Sequence, residues 1–267
     1  MNNKIRDYAY AGDREITEFH IPEGTECIGR HAFYNCRSLH TVYLPHGGIE
    51  IEDGAFKNCP KLSHIIMADG DGDCTCLRDI LYDMYQEITV SISYPNNRRS
   101  LLLFPGYEYE YIANEPARIF QEVGYGAGYL YQQCFYNAQV DYQRYDGLWS
   151  RARVSEEIPV LARILSFRLR FPYMLSMEAG TAYRDFWKAR SGELLTYFIR
   201  ERDMDSLRYF LETEPLDGTV MKLALSTAQS LEIPSVIGYL LDLEQRDGKE
   251  SFGINKFVGN CETSSQS

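Results

Sequence analysis

Hydrophobic and polar residues alternate with period two in three short stretches of the N-terminal third. In "EFHIP" (18–22), "TVYLP" (41–45) and "HIIM" (64–67), Phe19 and Ile21, Val42 and Leu44, and Ile65 and Met67 share one side. Period two predicts a strand with one buried face. The opposite face then carries Glu18 and His20, Thr41 and Tyr43, and His64 and Ile66. These stretches lie 23 residues apart, and the offset holds beyond the strands. Pro22 maps to Pro45, Ile28 to Ile51, Ala32 to Ala55, Phe33 to Phe56, Asn35 to Asn58 and Leu39 to Leu62. Ile88 and Val90 extend the strand series into a fourth unit. A fixed period in the twenties predicts a solenoid, whose units bury their apolar faces only against neighbours.

The pattern "IP-G---IG--AF-NC-SL--V-LP" resembles the BspA-like (Treponema pallidum-type) leucine-rich repeat over residues 16–104. "LRDILYDMYQEITVSISYP" (77–95) resembles a variant unit of that family in which a short hairpin replaces the AF-NC turn. The departures are Ala68 at a repeat-start proline and the loop "ADGDGDCTC". The resemblance implies a curved right-handed solenoid used for protein binding, often at bacterial surfaces. The N-terminal "MNNKIRDYAYAGDREITEF" has no apolar export segment, so the expectation here is a bacterial, cytoplasmic chain.

Residues 82–145 hold 12 of the 21 tyrosines. "ITVSISYPNNRRSLLLFPG" reads as two strands about a Pro-Asn-Asn turn, a hairpin that closes the end of the solenoid. Beyond it, "EPARIF" and "CFYN--VDYQRYD" resemble a segment that follows the repeats in bacterial leucine-rich repeat proteins, which implies no activity. Tyr107, Tyr109 and Tyr111 alternate with Glu108 and Glu110, placing three rings on one side of an extended segment. "GYGAG" (124–128) reads as a freely turning loop. The tyrosines are either a partner site or packing against the helices.

From Val154 the apolar period becomes helical. "SEEIPVLARILSFRLRF" predicts a helix with Ser155 as N-cap, Pro159 in its first turn and a stop at Pro172. "TAYRDFWKARS", "GELLTYFIRER", "DSLRYFLETE", "TVMKLALSTAQSL" and "IPSVIGYLLDLEQ" follow, with starts at Asp205 and Pro234. Leu207, Phe210 and Leu211 align with Ile237, Leu240 and Leu241 at a spacing of 30. "LALSTAQSLEIPSVIGYLLDL" (223–243) resembles the second half of an ankyrin repeat, which implies stacked helical hairpins. The predicted fold is α+β: a leucine-rich-repeat solenoid with capping hairpin over 1–104, a tyrosine-rich connector over 105–152, an ankyrin-like helical domain over 153–247, and a disordered tail over 248–267.

Charge narrows the partners. Residues 1–80 carry 8 Lys/Arg against 13 Asp/Glu, 81–150 carry 4 against 8, and 151–267 carry 15 against 17. No segment offers the basic field that draws phosphate, so neither nucleic acid nor membrane is an expected partner. Asp69, Asp71 and Asp73 match the first ligands of a calcium loop, but Cys74 stands where glycine is required and Ile80 where glutamate is. Cys74 and Cys76 lack a second pair at zinc spacing. "GYGAGY" fails the dinucleotide fingerprint. All five histidines lie in the repeats, away from most candidate nucleophiles. Tyr142 to Asp146 reads as a polar helix face, and Cys134 as a buried small residue. No metal or cofactor is expected.

These readings converge on a non-enzymatic module that binds a protein of unidentified kind. Its first contact surface is Glu18, His20, Thr41, Tyr43, His64 and Ile66, with Tyr107, Tyr109 and Tyr111 second. The alternatives are an enzyme with Glu108, Glu110 and Tyr142 between connector and helices, or a structural subunit. Cys36 and Cys59, one repeat apart, are within disulfide reach in principle. The ladder they belong to favours two buried free thiols.

Overall fold

The computed structural model describes residues 3–68, 73–114, 119–125, 127–214 and 217–245, with the backbone alone over 109–114 and 119–125. Two compact units, Met1–Asp185 and Phe186–Ser267, divide the chain. The predicted tail over 248–267 lies outside the described residues.

Each repeat contributes one rung to each of two parallel sheets. β1 (Lys4–Ile5), β3 (Cys27–Ile28) and β5 (Glu50–Ile51) form one. β2 (Glu18–His20), β4 (Thr41–Leu44), β6 (His64–Met67) and β7 (Ile88–Tyr94) form the other, which β8 (Arg98–Phe104) completes antiparallel. The register pairs Phe19 with Val42 and Val42 with Ile65, so over the first three rungs of this sheet the 23-residue offset is the strand register itself. The step to β7 is 25 residues, which sets Val90 opposite Ile65 where the sequence period had placed Ile88. Val42, Ile65 and Val90 are fully buried. Each such side chain contributes about 1.5–3 kcal/mol.

The first unit begins earlier than the sequence pattern indicates. Tyr8, Tyr10 and Gly12 donate backbone N–H bonds to Arg30, Ala32 and Tyr34, as His31, Phe33 and Asn35 do to Asp53, Ala55 and Lys57. Tyr10 stacks on Phe33 at 5.1 Å and Phe33 on Phe56 at 4.9 Å, one aromatic column through three units. Residues 4–21 are therefore a further repeat, with Tyr10 as its phenylalanine, Gly12 as its asparagine and Asp13 in the place of Cys36 and Cys59.

Two backbone positions per turn are left-handed. Tyr8, His31 and Gly54 have φ of 58°, 54° and 61°. Gly12, Asn35 and Asn58 have φ of 78°, 62° and 62°. Asparagine tolerates this region better than other side chains do. Its amide also joins a ladder, with Asn58 Nδ2 donating to Asn35 Oδ1 at 2.8 Å. At Gly54 a Cβ would meet the His31 ring at 2.5 Å, so only glycine fits beneath that imidazole.

The cysteines next to this turn have a shared task. The Cys36 thiol donates to the Tyr10 carbonyl and the Cys59 thiol to the Phe33 carbonyl, each at 3.1 Å and each across one repeat. Each of these carbonyls also accepts a backbone N–H within its own turn, from Asp13 and Cys36 respectively, so the thiol occupies the second lone pair. None of the six described cysteines is in a disulfide. The Cys36 contact and burial both push the Cys59 thiol well up.

In the fourth unit α1 (Thr75–Tyr82) takes the place of the turn. It buries Cys76, Leu77, Ile80 and Leu81 on one stripe. The expected short hairpin at this point is thus a helix, because apolar residues at i, i+1, i+4 and i+5 define one helical face. The β7–β8 hairpin forms as expected, with Asn96 and Asn97 left-handed in its turn.

The connector continues with β9 (Glu108–Asn114) and β10 (Ile119–Tyr125), an antiparallel pair. α2 (Gly128–Tyr131), the pair β11 (Phe135–Tyr136) and β12 (Gln139–Val140), α3 (Tyr142–Gly147), α4 (Trp149–Ser155) and α5 (Ile158–Arg170) follow. "GYGAG" is not a free turn. It spans the end of β10 and the start of α2, and a Cβ on Gly128 would meet the Pro105 carbonyl oxygen at 2.3 Å. Residues 142–146 are not a polar face either. The Tyr142 hydroxyl lies 2.6 Å from those of Tyr94 and Ser100. The Tyr145 hydroxyl donates to the Leu103 carbonyl at 2.6 Å and accepts from its N–H at 3.0 Å. Asp146 receives Arg168 Nε and Nη2 at 2.7 and 2.8 Å and the Tyr183 hydroxyl at 2.9 Å. Arg168 is fully buried, so a two-bond fork to the carboxylate is what allows its charge inside.

α5 starts after Glu157 rather than Ser155, which closes α4. α6 (Met177–Arg200) bends at Arg190, where φ is −128°, between the two helices expected there. In the second unit α7 (Met204–Thr213) is capped by Asp203, not started at Asp205, and α8 (Gly218–Ser230) by Asp217. α9 spans 234–245. Trp187 stacks on Phe210 at 4.1 Å, and Leu207, Ala224, Ala228, Val236 and Leu240 are among the other buried residues of this unit. Small Ala224 and Ala228 permit close helix approach.

Two outcomes follow. Asn35→Ala is expected to cost roughly 1–2 kcal/mol and Asn35→Gly clearly less, in urea denaturation, because alanine strains the left-handed turn. Equal costs would remove the backbone explanation. Cys36 and Cys59 are expected to stay unmodified by a thiol reagent in the native state and to react once urea unfolds the solenoid. Mass mapping of the labelled peptides reads this directly.

Candidate functional site

Period-two geometry puts the outward residues of the five-stranded sheet in straight rows. Glu18, Thr41 and His64 are direct cross-strand neighbours, and the row continues to Thr89. His20, Tyr43 and Ile66 form the next row, which continues through Ser91 to Leu101. Glu18, His20 and His64 are exposed, while Thr41, Tyr43 and Ile66 are half-buried. Six of the nine residues singled out by sequence are thus adjacent on one face. The sequence reading missed its extension over Thr89, Ser91 and Leu101, which the same alternation in "ITVSISY" and "SLLLF" encodes.

The face carries little free charge. The rings of His20 and Tyr43 lie 3.9 Å apart and within 4° of parallel. His64 Nδ1 is 2.9 Å from the Ser63 hydroxyl. Partial burial, with the neighbouring His40, holds the His64 imidazole below its ordinary 6.5. At neutral pH the row is a polar and aromatic strip with Glu18 as its anion.

Tyr107 lies apart from this sheet face. It is half-buried, its backbone N–H bonds the Tyr85 carbonyl at 2.9 Å, and its ring meets Tyr85 and Tyr129, each at 5.7 Å. The side chains of Tyr109, Glu110 and Tyr111 lie outside the described residues. The tyrosines divide between two tasks. Tyr131, Tyr142 and Tyr145 are core, whereas Tyr82, Tyr85, Tyr129 and Tyr136 are exposed.

Chemical constellations gain no geometry. Tyr142 is buried in the hydrogen-bonded cluster with Tyr94 and Ser100, and Glu108 is exposed, so these two do not converge. Asp69 and Asp71 lie outside the described residues, and Asp73 accepts from the Thr75 N–H at 2.6 Å at the start of α1. No group of three or more metal-ligating side chains occurs among the described residues. Among them, no helix is long and apolar enough to cross a membrane.

Residues 3–100 match the model of the BspA type leucine rich repeat region, in 6 copies. That match begins with the first unit, which the structure places at residues 4–21. A leucine-rich repeat protein from Bacteroides ovatus is similar at 18% identity and a TM-score of 0.22, over 33% of this chain and 21% of that one. The chain thus spans about a fifth of that protein's length. No curated protein matches. The fold is a β-solenoid of BspA-like repeats followed by a helical region. Repeats of this class generally serve as protein-interaction modules.

The His64 shift has a sign that can be measured. The unfolded chain takes up this proton near 6.5 and the folded chain only at lower pH. The unfolded state then binds more protons in that interval. The His64 contribution to stability is whole above 6.5 and declines as pH falls through it. Titration of the imidazole by NMR is expected to give a value below 6.5, and a value above it would contradict the assigned environment.

Proposed function

We propose that the chain is a non-enzymatic binding module that engages a protein partner through Glu18, His20, Thr41, Tyr43, His64 and Ile66. The observation that carries this reading is the cross-strand register, which aligns these six in two rows without any rearrangement. A preformed face loses little conformational entropy on binding. Its mixture of aromatic, aliphatic and uncharged polar groups suits the centre of a protein interface. Tyr107, with Tyr109 and Tyr111, is the second contact in this reading.

The second unit is read as ankyrin-like stacked hairpins, on the 30-residue offset between α7 and α9 and the buried Ala224 and Ala228. A cytoplasmic location agrees with six cysteines outside any disulfide among the described residues, and a net charge of −11 argues against nucleic acid and anionic membrane.

The test is affinity capture from the native cell with tagged wild type and a Tyr43→Ala, His64→Ala double variant, read by mass spectrometry. Both side chains face outward, so the variant's melting temperature is expected to stay close to wild type. Proteins captured by wild type should drop out with the variant. If every one of them stays bound, the sheet face is not the contact surface.

A further inference from the structure

A second surface carries chemistry that the sheet face does not use. Beyond the fourth repeat, a cleft of about 540 Å³ opens between the turn of the third unit, the end of α1 and the α2–β11 segment. That volume is in the range of small-ligand sites, roughly 300–1,000 Å³. Four tyrosines line it: Tyr82, Tyr85, Tyr107 and Tyr129. Their rings are not stacked away against each other. Tyr85 meets Tyr107 at 70° and Tyr107 meets Tyr129 at 63°, so the series presents walls at steep angles. Tyr82 is 81% exposed and Tyr129 44% exposed, a large apolar area left open to water.

The polar lining decides what could lie there. Asp53 and Asp83 supply two carboxylates, and Lys57 and Arg78 supply two cations, so formal charges cancel. Arg78 is already paired with Asp79 at 2.9 Å. Gln132 and Gln133 add amides, with Gln132 Nε2 held by the Met84 carbonyl at 2.7 Å. An anion would meet two carboxylates and a cation would meet an ammonium and a guanidinium. A neutral ligand that both donates and accepts many hydrogen bonds meets a match at every group. Such a ligand must also offer apolar patches to ring faces. A pyranose does both: its C–H face packs on an aromatic ring while its hydroxyls point to carboxylates, amides and cations.

We propose that this cleft binds a neutral oligosaccharide. Tyr82 and Tyr129 are the platforms, and Asp53, Asp83, Lys57 and Gln132 take the hydroxyls. Burial pushes the Asp83 carboxyl up, against the pull of Lys57. That carboxylate is partly stripped of water and ready to accept from a hydroxyl. The cleft shares no residue with the sheet face, so the two surfaces can fail separately.

Native gels cast with soluble starch, mannan, arabinoxylan, xyloglucan or dextran test this on the full chain. At least one polysaccharide is expected to retard the wild type. Tyr82→Ala with Tyr129→Ala should abolish the retardation at unchanged melting temperature, each ring weakening binding roughly tenfold. Tyr136→Ala, 70% exposed and outside the cleft, should migrate as wild type does. The proposal is overturned if none of the five gels retards the wild type, or if the double variant is retarded equally. Loss in Tyr136→Ala would also overturn it, by showing general aromatic adhesion. Tyr82-dependent binding of a trimethyl-lysine peptide, with no retardation in any gel, would assign the cleft to cations instead.

Discussion

The solenoid depends on a backbone constraint: twice in each of its first three turns the chain enters the left-handed region. Tyr8, His31 and Gly54 mark the first place, and Gly12, Asn35 and Asn58 the second. Each such residue other than glycine costs on the order of 1–2 kcal/mol. Units repeat in register because a neighbour with the same bend can accept every N–H the bend exposes. The aromatic column of Tyr10, Phe33 and Phe56 then fills the space inside, and the thiols of Cys36 and Cys59 each bond a carbonyl of the preceding unit, Tyr10 and Phe33. The flatness of the opposite sheet face is a by-product of this register. From β2 to β6, side chains 23 residues apart are cross-strand neighbours.

Much of this was legible in the chain because burial imposes a period. Phe19, Val42 and Ile65 announce the strands, and their outward neighbours follow by parity, whereas Ile88 stands two residues off the register that sets Val90 opposite Ile65. The first unit escaped because its letters differ while its physics does not. Tyr10 is as flat as phenylalanine, Gly12 bends as easily as asparagine, and Asp13, with a neighbour on one side only, caps its own turn through the N–H groups of Glu15 and Ile16. The helix α1 was hidden behind a family likeness, although Leu77, Ile80 and Leu81 give its stripe.

The cleft was beyond reach for a different reason. Its walls come from residues 53 to 135, which only the tertiary fold brings together. No local period links Asp53 to Tyr129. The buried Asp146–Arg168–Tyr183 group was missed likewise, since "DYQRYD" reads as solvent-loving until three separate helices enclose it. Sequence reveals what a repeat enforces at fixed spacing and conceals what tertiary closure assembles once.

The Tyr145 hydroxyl bonds both the N–H and the carbonyl of Leu103, and so stands in for the peptide of a strand that does not exist. β8 is therefore finished rather than merely last. This closure touches no rung before β7, and its partners lie at residues 94–145. Gain or loss of a 23-residue unit upstream would leave it intact.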